Sequence, residues 1–277
     1  MQPATYIGGM YPLVGRPLHP ELWQNCGGAW APCLGPTGLT IRDWSGFGNH
    51  CTFTNTTASA AWLSLRGQYS AWFDGVNDYA VVSRVNTIPM LRGFYAAAWI
   101  SPANTNTQKT IFKIGFTGTA GNQEFDGLTL SAWSDGNIYG NFRNTTVVDT
   151  DYTASVAYTA TLQHVAAWMD MSGTVKVYLN GVQSATTANA SAIASASMTF
   201  TQPATIGVRY DINGTLDKYF AGNIDDVRWG FSASDSIFRT LARRRGIAYE
   251  FAPRRRSSVA VAAAFNRRRR LLVGAGS

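Results

Sequence analysis

Residues 174–186 read TVKVYLNGVQSAT. Val175, Val177 and Leu179 alternate with Lys176 and Tyr178, the period-two pattern that sends apolar side chains to one face of a strand and the rest to the other. Asn180-Gly181 follows, and this dipeptide readily takes the positive φ angles of a two-residue type I′ turn, so the stretch predicts a β-hairpin. Outward from it, Asp135-Gly136 lies between GLTLSAW (127–133) and NIYGNFR (137–143) and predicts a second hairpin on the same argument. Further short apolar or alternating runs recur between turn residues: YSAWF (69–73), YAVVS (79–83), FYAAAWIS (94–101), KTIFKIGF (109–116), LQHVAAWMD (162–170), MTFTQPATIGVR (198–209) and YFAGNIDDVRWG (219–230). Strands of this length and spacing predict an all-β, two-sheet antiparallel sandwich.

The composition agrees. The 277 residues are only 14% charged, hold 9 Trp, 12 Tyr and 14 Phe, and include three glutamates, Glu21, Glu124 and Glu250. That is the chemistry of strands and turns, not of helices. One helix is expected in SASDSIFRTLARRR (232–245), with Ser232 or Ser234 as cap, Ile237, Phe238 and Leu241 on one face, and arginines where the dipole favours them. The proline- and glycine-rich residues 1–37 read as an extended amino-terminal arm that lies on a surface, the domain's own or a neighbour's, and the low-complexity segment 184–198 as a loop with a strand edge. Cys26, Cys33 and Cys51 are an odd number with no CxxC or HxxxH pair, which predicts small buried or half-buried thiols, with a Cys26–Cys33 bridge as the alternative, and neither a complete disulfide framework nor a zinc site. The opening residues lack the charged start and apolar run of a secretory signal. No stretch reaches the ~18 apolar residues of a membrane helix, so no membrane partner is expected.

Charge is segregated. Residues 1–242 hold 13 Lys and Arg against 15 Asp and Glu, whereas residues 243–277 hold ten Arg against one Glu. The clusters are Arg243, Arg244 and Arg245, then Arg254, Arg255 and Arg256, then Arg267, Arg268, Arg269 and Arg270. Arginine without lysine favours bidentate contacts to carboxylate or phosphate. Between the clusters SSVAVAAAF (257–265) alternates small and β-branched residues and can add as a strand to a sheet edge. The residues 243–277 are therefore expected to be a partner-binding arm.

Several stretches together carry a resemblance: GLTIRDWSGFGNHCTFTN (38–55), WFDGVNDYAVVS (72–83), AAWISP (97–102), VKVYLNGVQ (175–183), IGVRY (206–210) and FAGNIDDVRWGFSASDSIFRTLA (220–242). Their order and spacing resemble the laminin G-like jelly roll of the concanavalin A-like lectin and glucanase superfamily over residues 38–242. The resemblance implies one concave and one convex sheet with loops at the rims. The arginine-rich ending resembles tails of structural proteins of tailed bacteriophages that carry such a domain. It implies a non-enzymatic virion protein, assembled in the host cytoplasm, that decorates the capsid or belongs to the tail or fibre. Its expected partners are other virion proteins or copies of itself, with nucleic acid disfavoured because the body is slightly acidic and lysine is absent from the tail. The alternative is an adhesin module that recognises host glycans.

Within this frame the site candidates are few. Glucanases of the superfamily use Glu-x-Asp-x-x-Glu, and retaining glycoside hydrolysis needs two carboxyl groups about 5–5.5 Å apart. The signature is missing, and Asp225-Asp226 is expected to point to opposite faces of its strand, so no catalytic residue is assigned. No cofactor is required; calcium is admitted as a ligand of the rim, on Asp43, Asn49 and Asp225, because hard cations take oxygen donors. Trp72, Trp99, Trp168 and Trp229 lie inside apolar runs and read as core. Trp44, Trp133 and Tyr139 lie near turns or strand ends and are the candidate glycan contacts.

Overall fold

The computed structural model describes residues 17–82, 93–104, 107–115, 127–144, 148–191, 203–210 and 215–250. Strands are numbered in chain order. Sheet A runs β14 (Val182–Asn189), β13 (Thr174–Leu179), β12 (Gln163–Met169), β7 (Phe94–Pro102), β18 (Ala221–Phe231), β5 (Gln68–Asp74) and β4 (Trp62–Leu65), with β1 (Cys26–Trp30) also paired to β18. Sheet B runs β11 (Val148–Ala157), β10 (Asn137–Asn144), β9 (Gly127–Ala132), β8 (Lys109–Ile114), β15 (Thr205–Ile206), β6 (Tyr79–Val82), β3 (Cys51–Thr54) and β2 (Thr40–Ile41). A small hairpin pairs β16 (Arg209–Tyr210) with β17 (Leu216–Asp217). All the named pairings are antiparallel, including the crossover pairs β7 with β18 and β6 with β15, so this is the expected jelly-roll sandwich.

The main core lies between the sheets and includes Trp30, Phe73, Phe94, Phe112, Leu130 and Phe142. Period-two alternation selects these residues: on β13, Val175 and Val177 enter this core while Tyr178 does not. Tyr178 instead joins a second core on the outer face of sheet A, under the helix α1 (Asp235–Leu241), with Trp23, Tyr95, Phe238 and Tyr249. Ile237, Phe238 and Leu241 are the buried face of α1, as their spacing predicts. Ser234 is its cap residue by position, but its hydroxyl meets Ser236 and not a helix amide.

The β13–β14 turn is as read: Asn180 and Gly181 have φ of 50° and 79°, and Leu179 faces Val182. The β9–β10 hairpin forms with a different turn. Of the Asp135-Gly136 pair only Gly136 has positive φ, Gly136 N–H donates to Trp133 O, and Trp133 N–H donates to Asn137 O. The expected loop at 184–198 is a strand as far as Asn189, while residues 192–200 lie outside the described residues.

The bounds of both arms change. From Pro17 onward the amino-terminal segment lies on the domain itself and is built into it, because β1 pairs with the second half of β18 and Trp30 is fully buried with its indole N–H on Asn49 O at 2.7 Å. At the other end the chain stays on the sandwich to Glu250. Trp23 donates from its indole to Ala248 O, and Leu18 N–H donates to Glu250 O. Arg245, expected to reach a partner, is buried: it donates to the backbone oxygens of Leu65 and Tyr69 and pairs with Asp225 at 3.2 Å. Arg244 pairs with Glu250, and Arg243 is exposed. The clusters at 254–256 and 267–270 lie outside the described residues.

Candidate functional site: an aromatic and acidic rim on sheet B

The four-residue turn between β9 and β10 builds the site. Alternation places Ser131 and Tyr139 opposite each other on the outer face of sheet B, since Ala132 and Ile138 beside them enter the core. Trp133 extends the same face past the end of β9. The rings of Trp133 and Tyr139 meet with centroids 5.0 Å apart, tilted by 49°, and both are half-buried. The Trp133 indole N–H donates to Ser131 Oγ at 3.0 Å, which fixes the ring.

Asp135 organises the polar half. It accepts from Tyr139 OH at 2.7 Å and from the side chain and backbone N–H of Asn137, each at 3.0 Å. Burial pushes its carboxyl up, but these hydrogen bonds outweigh it and hold Asp135 below the usual carboxylate range. The bond to Asp135, together with burial, raises the Tyr139 phenol. The result is a charged, exposed acceptor beside an amide and two aromatic rings. Behind this rim a polar row crosses sheet B in register: Thr153, Asn141, Thr129, Lys113 and Thr205. Among the described residues Thr129 Oγ1 and Asn141 Nδ2 are buried without a hydrogen-bond partner, and such groups call for a partner such as a water or a ligand atom.

Trp44, the third candidate, is not part of this rim. It is half-buried, packs on Tyr249 at 5.9 Å and lies under Arg42 at 4.8 Å, forming the wall of a small cleft with Trp62, Ile41 and Leu34. Trp168 and Trp229 are buried as expected, while Trp72 and Trp99 are only partly so.

The calcium candidates do not fit a cation. Asp43 uses both oxygens on donors: Ala29 N–H and Ser45 N–H on Oδ1, Ser45 Oγ–H and Asn49 N–H on Oδ2. Four donors aimed at one carboxylate repel a metal ion. Asn49 gives its side-chain N–H to Gly27 O, and Asp225 is committed to Arg245 and to the N–H groups of Cys33 and Asp226. Among the described residues no cluster of three or more His, Cys, Asp or Glu could hold a metal. The three cysteines are free, with Cys26 and Cys51 buried and Cys33 half-buried.

The expectation that Asp225 and Asp226 point apart is wrong. A β-bulge against β7 spans Asp225 to Arg228 and Asp226 has φ of 42°, which breaks the alternation. Asp225 meets Arg245, while Asp226 meets Arg228 at 3.2 Å and the Gly246 N–H at 3.0 Å. Both carboxylates thus face residues 245–246. Burial first, and then its neighbour Asp226, push Asp225 up to about 7. At 1% and 2% exposure they are sealed from any substrate, and their work is to fix the end of the domain. Arg228 completes this centre, held 4.7 Å over Trp23 and 4.8 Å over Tyr249.

The model of the concanavalin A-like lectin/glucanases superfamily matches residues 74–232. No curated relative matches the sequence. Among solved structures the chain is similar to botulinum neurotoxin type C, in a structure concerned with its interaction with two ganglioside molecules, at 13% identity and a TM-score of 0.59 over 81% of this chain and 52% of that one. It is similar to the ligand-binding domain of botulinum neurotoxin serotype D in complex with N-acetylneuraminic acid, at 12% identity and a TM-score of 0.55 over 80% and 51%. The binding domain of Paraclostridial Mosquitocidal Protein 1 matches at 12% and 0.58 over 80% and 52%. The chain spans about half the length of these neighbours. With the family model covering more than half of its residues and the two-sheet topology in place, the chain belongs to the concanavalin A-like lectin/glucanases superfamily.

Proposed function

We propose that the sandwich is a non-enzymatic glycan-binding module whose contact rim is Trp133, Tyr139, Asp135 and Asn137. The observation that carries this reading is the fixed Trp133–Tyr139 pair beside an ionised Asp135. The C–H face of a pyranose ring packs on aromatic rings, while its hydroxyls donate to a carboxylate and pair with an amide. The ganglioside and N-acetylneuraminic acid partners named for two structural neighbours support the ligand class. Binding by this rim uses no calcium. A glycan array probed with the full chain tests it: Trp133→Ala is expected to abolish the hits, and chelation of divalent ions to leave them unchanged.

The charge distribution favours a second, compatible role. Residues 1–250 hold 16 Lys and Arg against 16 Asp and Glu, so the whole net charge of +7 lies in residues 251–277. With residues 243–250 fixed on the sandwich, this stretch leaves from an anchored point at Glu250. We propose that it fastens the module to an anionic surface of a neighbouring structural protein in a virion of a bacterial virus, on the capsid or in the tail, with the glycan rim displayed outward. A chain ending at Glu250 is expected to fold and to bind glycan but to be lost from purified particles; its normal incorporation would remove this role.

A further inference from the structure

The rim continues along sheet B beyond the residues named so far. Tyr79 is two residues before Val81 on β6, and Tyr139 two residues before Asn141 on β10. Val81 pairs with Thr205, Thr205 with Lys113, Lys113 with Thr129 and Thr129 with Asn141. Four antiparallel pairings separate β6 from β10, so the two strands run in the same direction. Tyr79 and Tyr139 therefore lie on the same side of the polar row, along one rim, about 19 Å apart at the usual strand spacing. Both face outward, because Ala80 and Ile138 enter the core.

Two more tyrosines join Tyr79. Its ring meets that of Tyr219 with centroids 6.5 Å apart, and all of Tyr79, Tyr210 and Tyr219 are half-buried. Tyr210 lies on the β16–β17 hairpin, opposite Leu216 and so close to Tyr219 along the chain; burial first, and then Tyr79 and Tyr219 nearby, raise its phenol. The group is held rigidly. Arg209 grips Asp217 across the β16–β17 hairpin with two bonds of 2.9 and 2.7 Å, Lys113 Nζ donates to Tyr210 O at 3.1 Å, and Thr110 N–H donates to Lys218 O at 2.9 Å. The last bond links the two aromatic groups, since Thr110 is the cross-strand partner of Ser131, the residue that fixes Trp133.

We propose that Tyr79, Tyr210 and Tyr219 form a second glycan subsite on the same rim as Trp133 and Tyr139, so that the module takes an extended, linear oligosaccharide and not a single terminal sugar. The inference rests on the glycan-binding reading of the first rim. A lone terminal sugar is satisfied by one aromatic pair and one carboxylate. A chain lying along the rim meets the first pair, passes above the buried Ser131 and Thr110, and reaches the tyrosine cluster.

The test uses the full chain and three length series of linear oligosaccharides, built from glucose, N-acetylglucosamine and sialic acid, from single sugars to chains of several units. Affinity for the series that binds is expected to rise with chain length and then level off. Tyr79→Ala and Tyr219→Ala are expected to weaken the long chains about tenfold, the size of one lost aromatic contact, and to leave the shortest binder unchanged. Trp133→Ala is expected to weaken both, and thermal melting shows that each variant is folded. If the single sugar binds as tightly as the longest chain, or if both tyrosine variants bind long chains normally while Trp133→Ala does not, the second subsite is overturned and the glycan reading stands. If the unaltered chain binds none of the probes, both fall.

Discussion

Asp225 and His164 give the domain opposed responses to acid. Burial and the neighbouring Asp226 raise Asp225 from 3.8 to about 7, so the folded state takes up a proton there that the unfolded state does not. Stability from this group therefore grows as pH falls from about 7 towards 4. His164 is buried, with burial and then Arg228 lowering it from 6.5 to about 3; its contribution is lost as pH falls from 6.5 towards 3. Urea denaturation across pH 4–8 is expected to show Asp225→Asn losing more stability on acidification than the unaltered chain, and His164→Asn losing less. Equal slopes for all three chains would contradict the assignment. At neutral pH, Arg245→Ala drives Asp225 to its protonated form and leaves the backbone oxygens of Leu65 and Tyr69 without their donor, and each buried polar group left unsatisfied costs about 1–3 kcal/mol.

Among the elements, β18 decides the shape of sheet A. Its first half pairs with β5 and its second half with β1 along the same edge, and the Asp225–Arg228 bulge marks the change. The sequence hides β1 because CGGAW looks like a turn. Its glycines are there for room: a Cβ on Gly27 or Gly28 would come within 2.5 or 2.3 Å of the Trp229 indole. β13 and the turn after it, by contrast, were legible, since alternation and Asn-Gly are local signals, whereas most of β14 was hidden in the low-complexity stretch from residue 184. The β9–β10 turn was legible as a hairpin and not in its geometry, and it is the longer turn that brings Trp133 beside Tyr139 and leaves Asp135 exposed. Where β10 crosses β12, Gly140 meets Ala167, and an added Cβ would lie 2.4 Å from the Ala167 methyl carbon. Gly140→Val is expected to destabilise by about 1–3 kcal/mol or more through overpacking, measurable by chemical denaturation.

At the scale of the molecule, the chain divides into an electroneutral body through residue 250 and a terminal stretch that carries all the net charge. The count was visible in the sequence, but the dividing point was not. Only the fold shows that Arg245 is spent on Asp225 inside the domain. The same limit applies to the site. Trp133 and Tyr139 are six residues apart and could be suspected together, whereas Tyr79, Tyr210 and Tyr219 are united only by sheet register and a hairpin far along the chain. Removing residues 251–277 takes away seven arginines and no acidic residue, so any association of the full chain with an anionic partner is expected to weaken with salt, and the truncated chain to lose it.

The central claim is that the β9–β10 rim binds glycan, and the most direct measurement is a glycan array read with the full chain and with Trp133→Ala and Trp44→Ala side by side. Hits that vanish with Trp133→Ala and persist with Trp44→Ala are the predicted result. An array blank for the unaltered chain, or hits indifferent to Trp133, would contradict it.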